Sequence, residues 1–539
     1  MSLDLYRNGS IYSPADPFAT AMLVENGTVA WIGSEAAAGA LLDERMNEID
    51  LQGALVAPAF VDSHVHLGAL GAHLSGLDLR QMLSAHEILD AVAQAASHDG
   101  GTILGFGWDE TRFADQTLPT LEQLNNAAGG RAVYLARIDV HSALISPSLA
   151  EALKLEPNDE FSGAVVSGTT HATLRKEVFA YDESTNAAHR DRALAHLAST
   201  GHGTVVEMAA ESVSGRADLE ALLGRSTEEQ ARTPQVYAYW GQAVTQQQEA
   251  RTLLDSFNSR ALAGLGGDLN IDGSIGSRTA LLRDDYTDAP GNNGASYLSV
   301  EQISAHVAAC SLAGIQASFH VIGDAGLDAA LEGFAKAAEE VGIAAVQRGR
   351  HRLEHVEMVD EAQRAKMLGF SLTASMQPQF DAMWGGSGNL YEQRLGAERA
   401  AGMNAIGKFL AAGVPVTIGS DAPVTGTNPW ASVKACLELN DPGSRISAKA
   451  AFMAHTRSGF RALGESNPLA GQLVTGSEAT FAIWNASELT VQTPDIRVSS
   501  WSTDARAGTP MLPVLEDELP TCLRTVRAGT ILFDAMNSN

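Results

Sequence analysis

Eight short apolar runs constrain the fold of this chain more than any other feature. They cover residues 55–61, 203–208, 235–239, 268–271, 315–321, 350–354, 371–374 and 414–418. A continuous apolar run of this length suits a strand buried on both faces. Helical patterns lie between several of them, at 300–313, 325–341, 360–368 and 398–412. Strands alternating with helices imply a parallel sheet, and eight imply closure into a barrel. The expected fold class is therefore α/β, a (β/α)₈ TIM barrel spanning 56–464.

Two other regions need a place in this scheme. The stretch from 71 to 200 is too long for a bare loop in a compact domain. It carries strand-like runs at 102–106 and 132–138 and helical patterns at 85–96 and 187–199. We read it as an inserted α+β subdomain after strand one. Residues 1–55 and 465–539 hold short strands around turn signals such as Asn8-Gly9 and Asn26-Gly27. The two ends are expected to pair into one β-sandwich.

The formal net charge of −28 makes nucleic acid a poor partner. No apolar run is long enough for a membrane span, and no signal peptide is apparent. Cys310, Cys436 and Cys522 are too few and too scattered for a disulfide framework. Together these features point to a reduced, cytoplasmic setting and to a partner other than nucleic acid or membrane. A homodimer is the general expectation for such a protein.

The chemistry sits where the runs end. Asp62-Ser63-His64-Val65-His66 closes the first run. Side chains at i and i+2 of a strand share a face, so two imidazoles can converge on one metal ion. His320 closes another run before Gly323-Asp324, and His355 follows Arg352-Leu353-Glu354. A lone histidine of this kind is more often a hydrogen-bonded core residue. Several at barrel strand ends, where barrel active sites lie, are hard to explain that way. Gly419-Ser420-Asp421-Ala422-Pro423 ends the last run. Asp421 there can cap a turn, or bind a metal and take a proton from water.

These motifs resemble those of the amidohydrolase superfamily, in the branch similar to N-substituted formamide deformylase and uncharacterised metal-dependent relatives. The matching segments also include Asp272-Gly273-Ser274, Ser277-Arg278-Thr279-Ala280 and Met376-Gln377-Pro378, in family order along nearly the whole chain. The resemblance implies a divalent metal, most often zinc, held by His64, His66, His320, His355 and Asp421. Relatives often carry a carboxylated lysine bridging two metals, four residues before the Asp-Gly of strand four. Asp268 stands there in this chain. Aspartate is shorter than a carboxylated lysine, so one ion is favoured over two. Asp268 is the candidate replacement for the bridge, and Glu207 a second acid to consider.

The mechanism expected on this basis is attack of metal-activated water on an amide-type carbon. Asp421 is the expected proton carrier, with His320 or His355 holding the oxyanion where either is not a ligand. N-acyl amines, formamides and cyclic amides are the substrates to expect. Trp108, His141 and Arg278 are the expected substrate contacts. Two other readings share the scaffold: a catalytically silent binding or regulatory protein, and a deaminase or isomerase.

Overall fold

The computed structural model describes residues 3–98, 100–158, 160–211, 215–226, 232–257, 262–486, 488–492, 501–502, 509–516 and 518–536. Its centre is an eight-stranded, wholly parallel sheet in sequential order. We number its strands β1 (Phe60–Val65), β2 (His202–Ala209), β3 (Gln235–Trp240), β4 (Leu262–Leu265), β5 (Gln316–Val321), β6 (Arg352–His355), β7 (Thr373–Met376) and β8 (Val416–Ile418). The sheet curls into a (β/α)₈ barrel. β1 and β8 meet through a parallel bridge between Val65 and Ala422 and a 2.6 Å hydrogen bond between the Ser63 and Thr417 hydroxyls. Asp62 strengthens this seam by accepting from the backbone N–H and the hydroxyl of Ser420.

Sequence patterns place most of these elements. The helix Val300–Ala313 matches its expected bounds because its ends are written locally. Ser299 and Gln302 form a capping box, and Gly314 ends the helix in the left-handed region at φ +75°. Three expectations need correction. The apolar run 55–61 is two strands: Leu55–Pro58 pairs with Phe481–Asn485, and only the chain from Phe60 joins the barrel. The helix expected at 398–412 is broken into Ala397–Ala400 and Ile406–Ala412. Between them Asn404 adopts φ +54° and donates its N–H to the carbonyl of Glu357. The run 268–271 is not a strand, since β4 ends earlier, at Leu265.

Both ends of the chain contribute to one five-stranded sheet made of Ser10–Ile11, Leu55–Pro58, Phe481–Asn485, Thr521–Arg527 and Thr530–Asp534. A four-stranded sheet from the N-terminal region covers it across a shared core that includes Tyr6, Met22, Val29, Val56, Phe481 and Val526. Residues 493–500, 503–508 and 537–539 of the expected C-terminal β region lie outside the described residues. The chain between β1 and β2 builds a six-stranded sheet whose central strands are Ile103–Trp108, Val133–Arg137 and Ser142–Ile145. Apolar side chains cover both of its faces. Among the described residues, no helix is long and apolar enough to cross a membrane.

Candidate metal centre

His64 lies on β1 and His66 follows that strand, His320 is in β5, and His355 ends β6; Asp421 follows β8. All five are buried at the carboxyl-terminal mouth of the barrel. Each imidazole has one ring nitrogen committed to an oxygen. His64 Nδ1 donates to Glu354 at 2.8 Å, and His66 Nδ1 donates to the Met208 carbonyl at 3.0 Å. His355 Nδ1 donates to Gln377 Oε1 at 2.8 Å, and His320 Nε2 donates to the Gly273 carbonyl at 3.1 Å. An oxygen acceptor requires N–H on the facing nitrogen, so in the neutral imidazole the lone pair is on the other one.

Those other nitrogens converge on two carboxylates. Asp421 Oδ1 stands 3.3 Å from both His64 Nε2 and His66 Nε2. Asp268 Oδ1 stands 3.1 Å from His320 Nδ1 and 3.3 Å from His355 Nε2, while its Oδ2 is 3.6 Å from His66 Nε2. The candidate ligand atoms of His64, His66 and Asp421 all lie within 4.8 Å of one another, as do those of His64, Asp268 and His355.

The donors suit a cation. His64 Nε2 is fully enclosed and has no hydrogen-bond partner. Burial opposes a charge on His64, yet Asp421 and Glu354 outweigh it and push its pKa well above the usual imidazole range. At His320, likewise, burial opposes charge, but Asp268 dominates and the pKa rises to about 9. This is an environment that favours positive charge in a mouth ringed with imidazole and carboxylate donors, as metal sites do.

Asp268 reaches the centre through its backbone. The two residues directly after β4, Gly266 and Gly267, adopt φ +98° and +56°. A Cβ on Gly266 would lie 2.1 Å from the Ser318 carbonyl oxygen, and one on Gly267 would lie 2.7 Å from Tyr239 Cβ. Only glycine fits this turn, and the turn delivers a short side chain to the middle of the mouth. Glu207 is in neither group of converging donors, and its Oε2 accepts the Leu67 N–H at 2.6 Å.

Two chambers flank the centre and share Asp139, His141, His320, His355 and Asp421. One is a tight cavity of about 20 Å³ among Ile275, Ile322, Phe380, Trp384, Leu390 and Val424, with Ser274, Glu357 and Tyr391 also in its wall. The other is wider, about 340 Å³, and reaches Arg175 and Tyr297.

The expected substrate contacts divide. His141 lines both chambers, its ring centroid 5.1 Å from that of His320. Burial, chiefly, and His320 push it down to about 4, so it is a neutral imidazole. Trp108 lines neither chamber. Its indole is buried in the core of the inserted sheet, and Nε1 donates to the Leu135 carbonyl at 2.7 Å. Arg278 also lines neither, because its guanidinium pairs with Asp288 at 2.7 Å. The strand Val133–Arg137 ends before His141, and Val140 turns at φ +50°. Asp139 instead joins the insertion to the loop after β4, accepting from Ser274 and Ser277 at 2.7 and 2.8 Å.

A model of the amidohydrolase family matches residues 47–533. The chain is 26% identical over 540 residues to the protein LONG AFTER FAR-RED 3 of Arabidopsis thaliana, covering 93% of this chain and 90% of that one. It is 20% identical over 518 residues to N-substituted formamide deformylase of Arthrobacter pascens, covering 89% and 92%. Among solved structures it resembles an uncharacterized metal-dependent hydrolase from Pyrococcus furiosus. That match has a TM-score of 0.67 and 27% identity, covering 89% of this chain and 98% of the other.

Proposed function

Because the chain belongs to the amidohydrolase family, we propose that it is a metal-dependent hydrolase that cleaves an amide-type C–N bond of a small molecule. One observation carries the reading. Four imidazoles, each fixed at one nitrogen by an oxygen acceptor, turn the other toward a mouth shared with Asp421 and Asp268. His64, His66, His320, His355, Asp268 and Asp421 are the residues that would hold the divalent metal. Imidazole and carboxylate donors suit zinc. A sequence argument from side-chain length favours one ion. The Gly266–Gly267 turn brings Asp268 to His320 and His355, which supports our reading of two.

A bound divalent cation supplies acidification of water and polarisation of a carbonyl. The protein's own groups do the rest. Asp421 Oδ1 lies at the junction of both chambers and is the acceptor for the proton of the attacking water. Burial would raise its pKa, but His64, His66 and His355 outweigh burial and keep it ionised. Asp421 then returns that proton to the departing nitrogen. Neutral His141 can donate a hydrogen bond to the oxygen on which negative charge develops. Cys310 and Cys436 are buried free thiols, which supports a reducing compartment.

The test is a screen of N-acyl amines, formamides and cyclic amides against zinc-loaded and chelator-stripped protein. Release of amine with carboxylate, lost on stripping and restored by zinc, supports the proposal. Release of ammonia alone would replace it with a deaminase, and no turnover under any loading would contradict catalysis.

A further inference from the structure

The tight cavity, at about 20 Å³, has room for about one water, which needs roughly 10–15 Å³ of such space. A substrate at the centre must therefore extend into the wider chamber. That chamber's volume of about 340 Å³ lies at the low end of ligand pockets, which span roughly 300–1,000 Å³, so the substrate is compact. Part of the chamber wall is one face of a helix of the insertion, Gly168–Val178. Gly168, His171, Ala172 and Arg175 line the chamber, at the i, i+3, i+4 and i+7 spacing that puts residues on one side of a helix.

The insertion holds this face in place. Glu160 pins the start of the helix by accepting the backbone N–H groups and hydroxyls of Thr169 and Thr170. Leu174 is buried with Tyr134 and Phe179, and the Tyr134 hydroxyl is tied to His171 Nε2 at 3.0 Å. Burial, and after it the charge of Arg175, push the His171 pKa well below the usual imidazole range, so that ring is neutral. Arg175 is the one Arg or Lys among the described residues lining the chamber. It is half-buried, and among the described residues no carboxylate pairs with its guanidinium. The acids of the chamber are engaged elsewhere: Asp139 with Arg137 at 3.0 Å, Asp268 with His320 at 3.1 Å and Asp421 with His66 at 3.3 Å.

A guanidinium left unpaired in a concave site presents a planar fork that matches a carboxylate. We infer that the substrate is a compact amide bearing a carboxylate, which Arg175 binds in the wider chamber while the scissile bond lies at the metal centre. No lysine or second arginine joins Arg175 there among the described residues, so the chamber matches a single negative charge better than a phosphate dianion. The inference rests on the hydrolase reading above for the bond, but recognition of the carboxylate does not depend on turnover.

The experiment compares matched amides on the zinc-loaded protein. N-acetyl-β-alanine and N-methylsuccinamic acid carry a carboxylate on the amine side and the acyl side of the amide. N-propylacetamide and N-methylbutanamide are their neutral isosteres. Amine release reports hydrolysis, and titration calorimetry reports binding. At least one acid should bind roughly tenfold more tightly than its isostere, the scale of a hydrogen bond between charged groups. Arg175→Ala should erase that ratio, and Arg175→Lys should retain part of it. Arg175→Glu should reverse it in favour of the ammonium counterparts, N-acetylethylenediamine and β-alanine N-methylamide, an outcome that a purely structural role of Arg175 does not produce. Equal binding of acids and isosteres would overturn the inference while leaving the hydrolase reading intact. So would a ratio that survives Arg175→Ala, as carboxylate coordination by zinc alone would give. Tighter binding of the N-acetyl derivative of aminoethylphosphonate than of either acid would overturn the choice of a carboxylate. The expected ratio, lost in Arg175→Ala but without amine release from any of these amides, would uphold the recognition and sink the hydrolase reading.

Discussion

Glu354→Gln is the perturbation that most directly probes how the barrel holds its imidazoles. Glu354 is fully buried and receives His64 Nδ1, the Ser318 hydroxyl at 2.9 Å, and the Nε and Nη2 of Arg352. Burial raises its pKa, but Arg352 and His64 outweigh burial and hold it at about 2. A glutamine can enter in two orientations. In both, its NH₂ meets an N–H of Arg352, and in one it also meets that of His64. Breaking a buried ion pair from one side costs about 3–5 kcal/mol. Losing the carboxylate behind a metal-binding imidazole costs about 10–100-fold in affinity, or about 1.4–2.8 kcal/mol. Urea unfolding of the stripped protein reads the first quantity, and competition with a chromophoric zinc chelator reads the second. The double variant Arg352→Met with Glu354→Leu separates them. An apolar pair should recover most of the stability but none of the zinc affinity. An unchanged urea midpoint together with unchanged zinc affinity in Glu354→Gln would refute the reasoning.

Other outcomes follow from the same geometry. Asp421→Asn should lower kcat by about 10²–10⁴-fold with little change in KM, as loss of a proton carrier does; a fall below tenfold would remove it from that role. Gly267→Ala should displace Asp268 and lower zinc stoichiometry while circular dichroism stays native, because a Cβ there meets Tyr239; full stoichiometry would contradict the turn argument. Trp108→Phe should leave KM unchanged and cost about 1 kcal/mol in urea unfolding for the lost bond to the Leu135 carbonyl; a large rise in KM would place Trp108 back in the site. Asp139 is held at about 2, burial being outweighed chiefly by Arg137. Because that folded pKa lies below the unfolded value of about 3.9, its stabilisation is present above pH about 4 and lost as pH falls through about 2. Acid unfolding of Arg137→Met, followed by circular dichroism, should therefore begin at higher pH than in the parent, and an identical acid midpoint would contradict this.

His64, His66, His320, His355 and Asp421 are legible in the sequence because each closes an apolar run, and a barrel gathers the ends of its strands at one mouth. Asp268 is legible as a substitution at a family position, but not as a residue in reach of the centre. Its reach depends on two glycine dihedrals and on β4 ending at Leu265. Trp108 misleads for a related reason. An indole beside glycines looks like a lid, and only packing shows its N–H turned inward to Leu135. The chamber walls are the least legible part. Phe380, Trp384 and Leu390 lie on two short helices, Pro378–Trp384 and Leu390–Leu395, too brief for a periodic pattern to stand out. Arg175 carries no local signal, because its significance is the missing partner. The supporting acceptors Glu354, Gln377 and the Met208 carbonyl could be found only in part: Glu354 and Gln377 sit in matched motifs, whereas a backbone carbonyl leaves no mark on the sequence.

Elemental analysis after equilibrium dialysis against zinc tests the centre most directly. We expect two equivalents per chain in the parent, one in Asp268→Ala, and a further loss in a His64→Ala, His66→Ala double variant of it. Zinc that stays bound when both histidines and Asp268 are gone would contradict a cation held by these side chains, as would a parent protein that takes up none.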